Sequence, residues 1–127
     1  TPVVPVGLPD PTPNAAAIPI ALSLQGIPYR YGGSTPASGF DCSGFVSYVY
    51  AQIGKSVPHF TGDIWAKFPR VPFEQLAPGD LILSEGLGHV GMYIGNGQYI
   101  HAPQTGDVVK ISSLASRMGS YLGAVRP

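Results

Sequence analysis

The chain has 127 residues and a mass of 13.3 kDa, enough for one domain with a real core. Seven basic residues balance seven acidic ones, 11% of residues are charged and 44% are hydrophobic, which excludes a disordered chain, a basic nucleic-acid-binding stripe and a polybasic membrane patch. One cysteine excludes an intrachain disulfide, and no apolar run approaches the roughly 18–20 residues of a membrane span.

Pro2, Pro5, Pro9, Pro11 and Pro13 make residues 1–13 a polyproline or extended segment. It reads either as a tether or as a strip gripping the surface through Val3, Val4, Val6 and Leu8. No signal peptide is visible, so the chain reads as a mature form or an excised piece. The regular fold is expected from Ile18, with a first helix ending at Gly26 and Pro19 tolerated in its first turn. Residues 27–39 read as loop, carrying Tyr29, Tyr31 and the pair Gly32-Gly33, with both tyrosines lining a site if the loop folds back.

Asp41 is a suitable N-cap for a helix whose apolar positions are Phe45, Val46, Val49 and Ile53, with Gly54 and Pro58 as the stop. The lone Cys42 then falls in the first helical turn, facing unpaired backbone N–H groups and the positive end of the helix dipole. Both favour a thiolate. Thr61 is expected to cap a short helix stopped by Pro69, and His59 reads as a surface histidine without a partner. A Pro78-Gly79 turn feeds a strand through Leu81-Ile82-Leu83. Further strands are expected at 89–94, 98–102, 108–111 and 121–125, with a weak helix at 113–118. Helices precede strands, so the fold class is α+β, with a mainly antiparallel sheet.

Gly95-Asn96-Gly97 is a hairpin signal, and it decides how His89 and His101 relate. A two-residue turn at Asn96-Gly97 pairs positions whose numbers sum to 193 and puts the histidines on opposite faces. A three-residue turn with a bulge at Gly97 makes the sum 192 and puts them on one face, with Gly91 leaving room for the His101 ring. The second register suits chemistry and is the one expected. It gives a thiol, a base (His89) and an orienter (His101). Cys42 with two histidines could also bind zinc, but no short ligand pair supports a metal site.

Phe40-Asp41-Cys42-Ser43-Gly44-Phe45, Pro78-Gly79-Asp80-Leu81, the run from His89 to Gly97, and His101-Ala102 occur in the order and spacing of the NlpC/P60 cysteine peptidases, which this chain resembles from about residue 21 to 126. The resemblance implies a papain-like core, with residues 18–127 as the catalytic domain and residues 1–17 as a linker or pro-segment outside it. It implies cleavage of the peptide stems of bacterial peptidoglycan, at the D-γ-glutamyl–diaminopimelate bond, through a Cys42 thioester. By the same resemblance Cys42 is the nucleophile, His89 the base and His101 the third polar residue. Tyr29 contributes to the oxyanion site, with Tyr31 the weaker candidate, and Asp41 and Ser43 match substrate-contacting positions. No cofactor or metal is implied. The expected partners are stem peptides, with no nucleic acid and a monomer by default, and the expected location is secreted or attached to the cell wall. The competing readings are a cell-wall binding module of low activity, blocked by its own residues 1–13, and an acyltransferase or amidase using the same triad.

Overall fold

The computed structural model describes residues 10–127. The strip formed by Val3, Val4, Val6 and Leu8, and with it most of the segment that would block the cleft in the competing reading, lies outside the described residues. What can be followed of the proline-rich segment is not wholly extended. Thr12–Ala16 forms a 3-10 turn with Pro13 in its opening positions, where the missing N–H costs nothing. Asn14 in this turn is fully buried, donating from Nδ2 to the Pro127 carbonyl at 3.1 Å and accepting from Lys55 Nζ at 2.6 Å. These bonds tie the turn to the body of the domain. Helix α1, Ala17–Ser23, follows directly and keeps Pro19 in its first turn.

Helix α2, Cys42–Ala51, is the element on which the sheet packs. Asp41, in extended backbone, caps it, with Oδ1 accepting the Gly44 N–H at 2.7 Å. Phe45, Val46, Val49 and Tyr50 form its buried face at helical spacing. Ile53 lies past the last turn, and the chain leaves through Gly54 at φ 80°. The preceding segment is more ordered than a loop: β1, Ser34–Thr35, and β2, Gly39–Phe40, form a small antiparallel pair. Helix α3 spans Thr61–Lys67, but Thr61 does not cap it. Phe60 holds the cap position, and the Thr61 hydroxyl donates instead to the Leu87 carbonyl.

The remaining strands are β3 (Arg70–Val71), β4 (Leu81–Ser84), β5 (His89–Gly95), β6 (Gln98–His101), β7 (Lys110–Ser113) and β8 (Tyr121–Val125). They build one sheet in the order β3-β8-β4-β5-β6-β7, with every pairing antiparallel. The third strand of the meander starts two residues later than expected, and the weak helix is a 3-10 turn at Leu114–Arg117. Strand β8 does not extend the meander but returns to lie between β3 and β4.

Alternation then sorts the side chains. Leu81, Leu83, Val90, Met92, Ile100 and Val125 join the α1 and α2 residues in the main core. Ile82, Tyr99 and Ala124 belong to a smaller cluster with Val71 and Leu114 on the other face.

Asp80 of the Pro-Gly-Asp turn is fully buried and clasped by Arg126, with Nε to Oδ1 at 2.8 Å and Nη2 to Oδ2 at 3.0 Å. The Ala77 N–H adds a third bond to this carboxylate at 2.9 Å, and the Tyr50 hydroxyl donates to the Gly79 carbonyl. This cluster joins the end of α2, the start of β4 and the end of β8. Removing the carboxylate from such a buried pair takes away the counter-charge of the guanidinium and two of its hydrogen bonds, so Asp80→Ala is expected to lower unfolding free energy by about 3–5 kcal/mol. Urea denaturation checks this, and a loss below about 1 kcal/mol would contradict the assigned role.

Candidate active site

Cys42 opens α2, partly buried, and the backbone around it is fixed from several sides. The Arg30 N–H donates to the Phe40 carbonyl at 2.9 Å, and the Asp41 N–H donates to the Gly33 carbonyl at 3.0 Å. Asp41 Oδ2 accepts the Gly32 N–H at 3.0 Å, so the Gly32-Gly33 turn is pinned to the helix start. Gly44 is required here: a Cβ would lie 2.8 Å from Asp41 Oδ1 and 2.9 Å from His59 Nε2, and would strike the Gly33 carbonyl as well.

Tyr29, Tyr31, Asp41, Cys42 and Ser43 border one cavity of about 390 Å³. The loop thus folds back as its two tyrosines suggested, with Tyr29 partly buried and Tyr31 89% exposed at the rim. Burial raises the Tyr29 hydroxyl above its usual pKa of 10.0, with Cys42 and Asp41 adding to the effect, so it stays protonated and able to donate. His59 and Phe60 also border the cavity. His59 is at the surface, as expected, but it has a partner: Asp41 Oδ1 accepts from its Nε2 at 2.8 Å. Sequence reasoning missed this contact because the two residues are 18 apart and meet only through the turn between α2 and α3.

The histidines come together through a hairpin that differs from the one expected. The turn is the two-residue one, with Asn96 at φ 53° and Gly97 at φ 72°, as a primed hairpin turn demands. The register shift lies before it: Gly95 pairs with Gln98, whereas Tyr93 pairs with Tyr99 and Met92 with Ile100. The bulge therefore sits at Ile94, three residues before the Gly97 position expected, and restores the pairing that puts His89 and His101 on one face.

Their contact is direct, with His89 Nε2 2.7 Å from His101 Nδ1 and ring centroids 4.9 Å apart. His101 Nε2 lies 2.8 Å from Ser112 Oγ on β7. A Cβ on Gly91 would lie 2.6 Å from the Tyr99 ring and 3.1 Å from the His101 Cβ, so the space that the glycine leaves is taken mainly by the Tyr99 ring, with the Cβ of His101 beside it.

Both rings emerge on the face shared with Tyr99, opposite the core residues Val90 and Met92. Cys42, at the start of α2, packs against the main core. It approaches β5 at the first residues of the strand, where the Val90 N–H points at the sulfur. With its Nε2 engaged by His101, His89 has Nδ1 as its other ring nitrogen.

All three groups are uncharged at neutral pH. Burial pushes the Cys42 thiol above its usual 9.0, and Asp41 pushes it further, while the N–H groups of Val90, Ser43 and Cys42 itself oppose the rise without cancelling it. The thiolate expected from the helix terminus alone is thus not the resting form. Burial also lowers His89 to about 4, with Arg117 contributing. It lowers His101 to about 3, helped by His89, Arg117 and Lys110. Among the described residues, no three His, Cys, Asp or Glu side chains converge as metal ligands would.

Residues 26–124 match the model of the NlpC/P60 family. The chain belongs to that family. Curated relatives of this NlpC/P60 domain include the murein DD-endopeptidase MepH of Escherichia coli, 40% identical over 111 residues, covering 80% of this chain and 41% of that protein. The gamma-DL-glutamyl hydrolase of Bacillus subtilis is 37% identical over 112 residues, covering 81% of this chain and 27% of that protein. The chain thus spans well under half the length of these relatives. A solved NlpC/P60 family protein of Bacillus cereus superposes with a TM-score of 0.84 at 32% identity, covering 95% of this chain and 41% of that one. The NlpC/P60 domain of the peptidoglycan hydrolase SagA superposes with a TM-score of 0.80 at 37% identity, covering 90% of this chain and 98% of that domain. The α+β fold of this NlpC/P60 domain, helices before an antiparallel sheet, is the fold of these structures.

The protonation states have two measurable consequences. Iodoacetamide should alkylate Cys42, the sole thiol, at a rate that keeps rising past pH 9, because burial keeps it protonated. A plateau below pH 7 would contradict this. The folded imidazoles titrate near 4 and 3, below the 6.5 of the unfolded chain, so below pH 6.5 the unfolded chain binds protons that the folded one does not. The stability gained by keeping the rings neutral is complete above pH 6.5 and is lost as pH falls toward 4 and then 3. Urea denaturation between pH 6 and 4.5 should show a loss approaching about 1.4 kcal/mol per pH unit for each histidine, and His101→Asn should roughly halve the slope. An unchanged slope in that variant would contradict the burial argument.

Proposed function

We propose that this domain is a cysteine peptidase that cleaves the peptide stems of bacterial peptidoglycan, acting outside the cytoplasm at the cell wall. The observation that carries the reading is the 2.7 Å contact between His89 Nε2 and His101 Nδ1, which assigns Nδ1 to His89 as the nitrogen that takes the Cys42 proton in this reading. Family membership supports the peptidase class, and the names of the relatives support the substrate. MepH is a murein DD-endopeptidase, and RipA of Mycolicibacterium smegmatis is a peptidoglycan endopeptidase. The name of the gamma-DL-glutamyl hydrolase supports a γ-glutamyl bond as the one cut, and in a stem this reading takes it as the D-γ-glutamyl–diaminopimelate bond. Solved RipA variants are altered at a cysteine, a histidine and a glutamate. The histidine and glutamate there are as far apart in sequence as His89 and His101 are here.

The chemistry is acyl transfer. As the Cys42 sulfur bonds to the amide carbon, its proton passes to His89 Nδ1 and the carbonyl oxygen becomes an oxyanion. Attack and proton transfer are coupled because neither partner is charged beforehand. The Cys42 N–H, at a helix start with no intrahelical acceptor, stabilises the oxyanion together with the protonated Tyr29 hydroxyl. His89 then gives its proton to the departing amine nitrogen as the C–N bond breaks. Water, losing a proton to Nδ1, hydrolyses the thioester and returns the thiol. Asp41 and Ser43 border the cavity that receives the acyl side of the stem. Asp41 already caps α2, holds Gly32 and meets His59, so its first task is to fix this wall.

The test is hydrolysis of a defined muropeptide, with products identified by mass, by the wild type and by Cys42→Ala. The variant should lose turnover by a factor of about 10³ or more, and the two product masses should place the cut after D-glutamate. Cleavage surviving in Cys42→Ala would overturn the assignment.

A further inference from the structure

A neutral imidazole carries one N–H and one bare nitrogen. Where His89 Nε2 meets His101 Nδ1 at 2.7 Å, one ring must donate and the other accept. Two arrangements satisfy this. In the first, His89 donates from Nε2 and His101 accepts at Nδ1, so His101 must carry its own proton on Nε2. In the second, the protons sit on the two Nδ1 atoms, and His89 then presents an N–H toward Cys42 and cannot take the thiol proton. The pair alone does not choose between them. A carboxylate as third residue would choose, since it can only accept; a histidine in that place transfers the choice to whatever holds its far nitrogen.

That group is Ser112 on β7, whose Oγ lies 2.8 Å from His101 Nε2. The charged groups around the His101 ring do not compete for the position. Lys110 is bonded to Asp107 at 2.8 Å, Arg117 to Glu85 at 3.0 Å, and Arg117 Nε also donates to the Tyr99 hydroxyl at 2.6 Å. With both carboxylates engaged, Ser112 Oγ is the group that meets Nε2, and a hydroxyl can either accept the proton there or donate its own. Ser112 also borders a second cavity of about 390 Å³ with His101 at its wall and the exposed Gln104, Lys110 and Ser116 at its rim. The serine hydrogen can therefore be given to solvent while its oxygen receives the histidine proton.

We propose that Ser112 is a positioning residue of this active site: by accepting the His101 Nε2 proton it fixes the tautomer of His101 and, through it, that of His89, keeping His89 Nδ1 bare for Cys42. The proposal rests on the reading of Cys42 as nucleophile and His89 as base. Ser112 touches no substrate and acts through two rings in series.

The hydroxyl is isolated by two variants of equal shape that both suit a strand, Ser112→Thr and Ser112→Val. Muropeptide hydrolysis is followed across pH, and the side-chain ¹⁵N shifts of His89 and His101 are recorded at pH 7 in the Cys42→Ala background. With Ser or Thr at 112, both histidines should show the Nε2–H form, and kcat should agree within twofold. With Val, the Nδ1–H form should appear at both rings and kcat should fall about tenfold with KM unchanged, the scale of one lost hydrogen bond. Equal kcat and equal tautomers in the Thr and Val proteins would overturn the proposal, as would an Nδ1–H His89 when Ser112 is present. Turnover surviving in Cys42→Ala overturns the reading beneath it instead, and the ¹⁵N shifts still decide what Ser112 does.

Discussion

Without the bulge that places Ile94 as an extra residue between Tyr93 and Gly95, β5 and β6 would pair as the two-residue turn dictates, and His101 would face away from His89. The hairpin combines two requirements. Asn96 and Gly97, both at positive φ, form the tight turn that suits twisted strands, and the bulge corrects the parity that this turn would impose. Everything proposed for the site descends from that correction. It sets the contact between the rings, leaves His89 Nδ1 for the thiol, and brings His101 within reach of Ser112. Gly91 completes the arrangement by leaving the volume that the Tyr99 ring and the Cβ of His101 occupy.

Burial, more than charge, sets the protonation of the site. The start of α2 does offer N–H groups to the sulfur, yet desolvation and the neighbouring Asp41 outweigh them, and the same desolvation holds both imidazoles neutral. A thiol and a base that are both uncharged at rest shift the burden of activation onto the moment of attack. The orientation of each N–H then matters more than the net charge of the pair, which is why a hydroxyl two groups away from the sulfur enters the account.

Local signals in the sequence were sufficient for the helix at Cys42, its Asp41 cap, the hairpin and the α+β class, because each is written in neighbouring residues: a capping side chain, apolar spacing, an Asn-Gly pair. The shared face of the histidines was also legible, since parity leaves two options and chemistry selects one, although the bulge that produces it lies at Ile94, three residues before Gly97. Contacts between distant residues were not legible. Nothing near Asp80 announces Arg126, which returns on β8 to a position between β3 and β4, and nothing near His59 announces Asp41. The 3-10 turn at Thr12–Ala16 was hidden by its prolines, which exclude a helix interior but fit an opening turn. The resting state of Cys42 was misjudged for a related reason: the helix terminus can be read from sequence, whereas the burial that opposes it depends on the packed fold.

The central claim is that acyl transfer passes through a thioester on Cys42, and capture of the acyl group tests it most directly. Hydroxylamine added during muropeptide hydrolysis should divert part of the acyl fragment into a hydroxamate while the amine fragment is still released, because a thioester partitions between water and a better nucleophile. Free carboxylic acid as the sole acyl product at every hydroxylamine concentration would point to direct attack by water and contradict the account.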